Sequence, residues 1–595
     1  MERVRVRRGE RRVLRPLGGA FALLAALALA PSCRFDPSYR DVVSAVGPEC
    51  EDEGQIACRG EALTRCDAGK ITVLDDCKAK SLACADKLLR CTPCKPGEAT
   101  CDGASVLRCD EAGQRRELVQ TCDGDKGIAC RLGVCTQLCD EAAKIQSNVG
   151  CEYWGVDLDN AVTSQGNAAA QQYAIVVSNP QPDLIAHVTI TEDTAQPGQP
   201  PAERVVATAS VRPRNLEVFK LGPKEVDGSP EGTFNTGTGT ALSRGAFKVV
   251  SDVPIVAYQF NPLENANVFS NDASQLLPVS ALGNAGASTY VIAGWPQTIA
   301  RSEVPTQNFG TDLRAFLTIA ATRPNTQVKI RTTARIIPGG PAPAGVPIGG
   351  TLDVTLQPYE VLNLETGAFN ADFTGSIVNA SAPVAVFVGS EASDAPFFGT
   401  LAERQCCADH LEDQAVPVRA VGKSYVLGHV PNRSKAVKAA GGAIGVVDEP
   451  EYYRVVAVGA GKTTVKTSLP PPYDSFDLAD VGANRTLTSL KDFTLTATQS
   501  VIVVDVQSSQ EAAGVPRGLP GGDPSLTYVP PVEQWRADYV FLTPDKYAFD
   551  FVVVTAPFAA KVYLDGLLLT DKVCEIGPGD GLGAEKRCSH LWPTV

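Results

Sequence analysis

The residues of this chain best suited to chemistry fall in three places. Asp157-Leu158-Asp159-Asn160 offers side-chain oxygens of the kind that hold calcium, with Asp157 and Asp159 as the candidates. Asx turns at the end of a strand are the simpler reading of the same four residues. Cys406-Cys407-Ala408-Asp409-His410 gathers two thiols and an imidazole, and His429 follows closely enough to be a fourth ligand. His429 sits, however, in the strand-like run YVLGHVP, at or beside the place that Trp295 takes in YVIAGWP. A vicinal disulfide, or a bridge from this pair to another loop, fits an oxidising compartment better. AVGAGKTT, residues 457–464, imitates a phosphate loop, but Val456 stands where the leading Gly belongs and a strand follows in place of a helix. The four His form no HExxH, and GxSxG is absent. The expectation is a non-enzyme with no metal and no cofactor.

The cysteines do a different kind of chemistry. Of the 19 in the chain, twelve fall into two series, Cys50, Cys58, Cys66, Cys77, Cys84, Cys91 and Cys94, Cys101, Cys109, Cys122, Cys130, Cys135. The text between them repeats, as IACRGEALTRCDAGK and ATCDGASVLRCDEAG. Units this short bury too little core to fold unaided, so each reads as a hairpin-based module held by disulfides. A zinc module would need a second CxxC besides Cys91 and Cys94, or nearby His, and the first His is His187. Six thiols allow fifteen pairings, and spacing does not choose among them. Cys139 and Cys151 are expected to close a short helical turn, and Cys574 and Cys588 to pair around a Gly-rich loop.

The amino terminus is an address. MERVRVRRGERRVLRP is strongly basic, and LGGAFALLAALALA is apolar but too short to span a bilayer comfortably. It ends at Ala30-Pro31-Ser32-Cys33, which resembles a bacterial lipoprotein signal with Cys33 as the acylated residue. Setting Cys33 aside leaves an even number of thiols. Arg34 after it is compatible with transfer to the outer membrane. The net charge is -13, and removal of the first 32 residues, with seven Arg and two Glu, takes it to about -18. That balance excludes nucleic acid as a partner, since phosphate contacts need a basic face.

The elements that would position these residues are strands. AFKVVSDVPIVAYQF, residues 246–260, returns as GSIVNASAPVAVFVGSE at 375–391 and as FTLTATQSVIVVDVQSS at 493–509. Each copy reads as two strands around a turn, at Asp252-Val253-Pro254 in the first. A Pro-led strand (LLPVSALG with YVIAGWP, AVPVRAVGKSYVLGHVP, YVPPVEQWRADYVFLTP) and an alternating hairpin starting at Tyr173, Ala315, Tyr453 and Asp550 recur with it. The fold class is all-β: tandem β-sandwich-like repeats preceded by a small disulfide-rich region. The organisation expected is a signal peptide over 1–32, a tether over 33–49, cysteine modules over 50–93 and 94–151, and β repeats over 152–275, 276–414, 415–527 and 528–595. The last repeat is expected to be incomplete, with no cognate of VPIVAYQF and an open edge on DFVVV and KVYLDGLLL.

GCEYWGVDLDNA, FKVVSDVPIVAYQFNPL and SNDASQLLPVSALG ahead of YVIAGWP resemble the IgGFc-binding-protein N-terminal domain family, as found on myxobacterial cysteine-rich surface lipoproteins. The resemblance runs from about Gly150 to the end of the chain. It implies adhesion or binding outside the cell, with a glycoprotein or glycan ligand. Its animal member implies immunoglobulin Fc, a ligand for which a soil bacterium has no evident use. A structural envelope component without a specific ligand is the alternative. The expected partners are the membrane, through the lipid on Cys33, and an extracellular protein or glycan met by Asn- and Asp-rich loops such as 261–275.

Overall fold

The computed structural model describes residues 2–7 and 49–592, apart from 165, 197–198, 265–269, 284–286, 302–309, 406, 543–547, 570–573 and 577–584. Cys33, Cys406 and the apolar run of the signal lie outside the described residues. The chain divides into two compact units. One ends at Leu138; the other runs from Cys139 onward and includes the first nine residues.

In the first unit disulfides are the core. Cys50–Cys66, Cys58–Cys84 and Cys77–Cys91 bridge one module, and Cys94–Cys109, Cys101–Cys130 and Cys122–Cys135 the next. In each module the first thiol pairs with the third, the second with the fifth and the fourth with the sixth. The textual repeat is thus also a repeat of covalent topology. Each module holds more sheet than the single hairpin expected. A three-stranded meander (Ile56–Arg59, Ala62–Asp67, Lys70–Asp76) precedes a strand pair (Ala83–Ala85, Arg90–Thr92) in the first. The second repeats this with Ala99–Asp102, Ser105–Cys109 and Arg116–Thr121, then Ile128–Arg131 and Val134–Gln137. Cys66, Cys77, Cys84 and Cys94 are buried while Val73 and Leu118 stay exposed, as expected where apolar core is scarce.

In the second unit the bridge Cys139–Cys151 joins the helix Leu138–Ile145 to the strand that follows it. Four β repeats come next, and three share one plan. A lead strand (Gly150–Val156, Ser288–Val291, Gly422–Leu427) pairs with the first half of a closing strand. That half also pairs with a second strand (Ala186–Asp193, Thr326–Arg331, Thr463–Thr467). The second half of the closing strand pairs with the strand just before that one in the chain (Tyr173–Ser178, Ala315–Ala321, Glu451–Ala457).

This plan corrects two expectations. The segments read as hairpins, from Tyr173, Ala315, Tyr453 and Asp550, are arches whose two arms do not pair with each other: in the second and fourth repeats they lie in separate sheets, and in the first and third they are joined only through opposite halves of the closing strand. Period-2 alternation reports one buried face per strand and says nothing of which strand is the neighbour. The recurring AFKVVSDVPIVAYQF is likewise not two strands around a turn. Ala246–Asn261 is one strand that passes from one sheet to the other at Asp252-Val253-Pro254. Phe493–Val506 is likewise one continuous strand whose two halves pair with different neighbours, whereas in the second repeat the strand is broken into Ile377–Ala380 and Val384–Ser393.

The fourth repeat has its lead strand (Asp538–Phe541) and both arms of its arch (Asp550–Pro557, Lys561–Leu564). The expected absence of a closing strand is corrected in part. Glu585–Trp592 pairs with Asp550–Pro557 along its length, the place of a second half. The place of the first half, between lead strand and second arm, is taken by Glu2–Arg7 from the amino terminus. EKRCSHLW shares no text with VPIVAYQF, and backbone pairing requires none.

The repeats are fused rather than strung. Residues 272–276, 409–414 and 526–528, each leading into the next repeat, pair back onto the preceding closing strand. Tyr453, Val455 and Ala457 face the core of the third repeat. Tyr452 and Val456, on the other face of that strand, pack with Val291, Ala293 and Trp295 of the second. Arg454 between them donates to the Gly294 carbonyl, pairs with Asp372 and lies 4.9 Å from the Trp295 ring centroid.

Candidate functional site

The seam between the first two repeats concentrates buried acid. After the lead strand Gly150–Val156 the chain leaves the sheet, yet residues 157–161 stay buried because side chains take the place of a ladder. Asn160 Nδ2 donates to the Asn261 carbonyl at 3.1 Å, and its Oδ1 accepts from the Ala161 N–H at 2.7 Å, the next residue rather than the one two positions on that an Asx turn uses. Asn261 Nδ2 donates to the Leu158 carbonyl at 2.6 Å. Asp157 and Asp159 meet different partners, although residues two apart in a regular strand would share a face. Asp157 Oδ2 accepts from the Lys224 N–H at 2.7 Å, and nothing brings it to the cluster described next.

Asp159 meets Glu365, the last residue of Val361–Glu365, and Glu391, in the closing strand Val384–Ser393; one carboxylate oxygen of each lies within 4.8 Å of the others. All three residues are buried, and Asp159 is 2% exposed. Glu391 Oε1 accepts from the Arg314 N–H at 2.8 Å and Oε2 from Asn235 Nδ2 at 3.1 Å. Glu365 Oε1 accepts from Asn363 Nδ2 at 2.9 Å and Oε2 from the Arg314 guanidinium at 3.1 Å. Gly239, at φ +79°, presses its backbone so close that a Cβ there would collide with the Glu365 carboxylate. Asp159 Oδ1 has no hydrogen-bond partner among the described residues. The cluster opens on a cavity of about 190 Å³ lined by Asp159, Asp227, Asn235, Arg301, Arg314 and Glu391.

Burial pushes the Asp159 carboxyl far above the usual range, and the neighbouring Glu391, Glu365 and Glu225 charges push it further. Glu391 is raised by burial and then by Glu365. Glu225 is pushed up to about 9 by burial and by Asp227. Of this group, sequence reasoning found only Asp159. The available signal was an acid inside an apolar strand: Glu365 ends VLNLE and Glu391 interrupts VAVFVGSEAS.

Among the described residues, the others singled out form no further metal-ligating cluster. His429 is buried with its Nδ1 and Nε2 each 2.6 Å from a backbone carbonyl, of Val430 and Glu449. His410 is buried beside Glu412, its Nε2 3.4 Å from Oε2. Cys407 is disulfide-bonded. Cys574 and Cys588 stand directly opposite each other in an antiparallel pair. The 261–275 loop, expected to be a contact surface, instead lines the seam where it is described. The Ser270 hydroxyl donates to Asn160 Oδ1 at 3.2 Å, and the Asn271 N–H to Asp409 Oδ1 at 2.9 Å.

Among known proteins, 171 residues are 28% identical to the human IgGFc-binding protein, covering 29% of this chain and 3% of that relative. The chain thus spans only a small part of the length of the curated relative it matches. A solved tetra-tandem repeat from the extending region of a large adhesion protein covers 75% of this chain and 90% of its own at 10% identity. Its TM-score is 0.08. The family model described as IgGFc binding protein matches residues 272–581. That match takes in more than half of the sequence and includes Glu365, Glu391 and the arches of the second, third and fourth repeats: the chain belongs to the IgGFc-binding protein family.

Proposed function

We propose that this chain is an exported, non-catalytic binding protein held at the outer face of the cell by lipid on Cys33, with an extracellular protein or glycan as its ligand. Membership of a family named for binding carries the reading. The human relative's name specifies the Fc part of immunoglobulin G; the ligand class taken over here is the wider one of extracellular glycoproteins. Seven disulfides between Cys50 and Cys151 support export, since such bridges persist in oxidising compartments. Among the described residues no helix is long and apolar enough to cross a membrane. The lipid therefore supplies the anchor in this reading. Crosslinking of the purified chain on intact cells and on immobilised glycoproteins, followed by mass spectrometry, tests it. One dominant extracellular species crosslinked to residues 150–592 is the expected result. Crosslinks only to neighbouring envelope components would favour the structural alternative.

A further inference from the structure

We propose that Asp159, Glu365 and Glu391 bind one calcium ion that staples the first β repeat to the second. The donors are all oxygen, with no nitrogen or sulfur among them, which selects a hard cation over zinc or copper. Their spacing suits calcium. Two oxygens on opposite sides of an ion, each at about 2.4 Å, stand roughly 4.8 Å apart, and the three donor oxygens fall within that span.

Two further observations point to a ligand rather than to a chance gathering of acids. Asp159 Oδ1 is almost wholly buried and has no hydrogen-bond donor among the described residues, although a buried carboxylate oxygen ordinarily finds one. Meanwhile Glu365 and Glu391 are pinned by Asn363, Asn235 and the Arg314 N–H, so the site needs little rearrangement to accept an ion. Arg314 offsets one of the three charges, and a divalent cation offsets the other two. The cavity of about 190 Å³ beside the cluster leaves room for water to complete the coordination.

Placement says what the ion would do. Asp159 belongs to the segment after the first lead strand, whereas Glu365 and Glu391 are carried by strands of the second repeat. Coordination therefore adds a bridge between two repeats whose carboxylates face each other here beside the Asn235–Glu391 hydrogen bond. An exported chain meets calcium at concentrations where even a weak site, with Kd about 10⁻⁴ to 10⁻³ M, is occupied.

The test is equilibrium dialysis of the purified full chain against calcium after chelator treatment, with hydrogen exchange on the same samples. One ion per chain is expected, with Asp159→Asn and Glu391→Gln each weakening binding at least tenfold and Asp157→Asn leaving it unchanged. Calcium should also slow exchange at 157–161 and 361–366 in the wild-type chain, a readout that stands even where a variant fails to fold. No saturable binding up to about 5 mM, several times the weak end of about 10⁻³ M for extracellular calcium modules, would overturn the proposal. So would equal binding by the folded variants, or wild-type exchange at those residues that ignores calcium.

Discussion

The Tyr290 hydroxyl donates to the Val384 carbonyl at 2.7 Å, tying the lead strand of the second repeat to the residue where its closing strand resumes in the other sheet. Tyr153 does the same to Ile255 at 2.6 Å and Tyr425 to Val501 at 2.5 Å. Each of these tyrosines is buried. The closing strand must leave one sheet for the other at this point, and the hydroxyl satisfies a carbonyl the ladder does not serve. In the fourth repeat the corresponding Tyr539 accepts from the Arg536 N–H at 2.7 Å, as Tyr153 accepts from that of Gly150.

Tyr290→Phe should therefore cost about 1–2 kcal/mol, because it strands a buried carbonyl while sparing the ring packing. Denaturant unfolding would show a lower midpoint at unchanged slope. A midpoint equal to wild type would mean the tie contributes nothing.

Arg454→Ala should destabilise the second unit by about 3 kcal/mol by leaving the partly buried Asp372 without its cation. Arg454→Lys should recover only part, since an ammonium cannot both stack on Trp295 and donate to Gly294 and Asp372. Full recovery by Lys would contradict the stacked, forked geometry.

Glu225 has its folded pKa raised to about 9, and Asp159 and Glu391 are raised in the same direction. An acid shifted this way holds its proton more tightly in the folded chain. Its contribution is fully present below its unfolded pKa of about 4.5 and is lost as pH rises through about 9. Glu152, whose carboxyl the Arg323 and Trp154 hydrogen bonds hold below its usual value, acts in the opposite sense and on the acid side of that window. In chelator, the thermal midpoint of the second unit should fall between pH 5 and pH 9, and Glu225→Gln should flatten the slope. A profile that is level or rises with pH would contradict this assignment.

The slot between Asp538–Phe541 and Lys561–Leu564 holds Glu2–Arg7. If residues 1–32 are removed on export, that slot loses its strand. A chain starting at residue 34 should exchange amide hydrogens at 538–541 and 561–564 faster than the full-length chain, and the free peptide ERVRVR should restore protection. Equal protection in both chains would show that the fourth repeat closes without this segment.

What was legible in the sequence follows from what each signal encodes. The disulfide framework was legible as two modules because thiol spacing repeats along the chain; the partner of each thiol became visible only in three dimensions. The β repeats were legible because inward-facing residues such as Val328 and Ile330 alternate with Gln327 and Lys329. The arches were not, because alternation is the same whether Ala315–Ala321 pairs with Thr326–Arg331 or with Val384–Ser393. Asp159 was visible only as a candidate oxygen ligand in an Asp-rich segment. Its partners were hidden because Glu365 and Glu391 arrive from another repeat, through a register that only the folded sheets define.

The central claim is that the folded repeats bind an extracellular ligand. The direct measurement is saturation binding of the labelled, purified chain to intact cells and to immobilised glycoproteins, with unlabelled chain as competitor. The account predicts a saturable signal that the competitor displaces, that survives reduction of the first unit, and that disappears when the second unit is unfolded. A signal that rises linearly with concentration, resists competition, or persists after unfolding would contradict it.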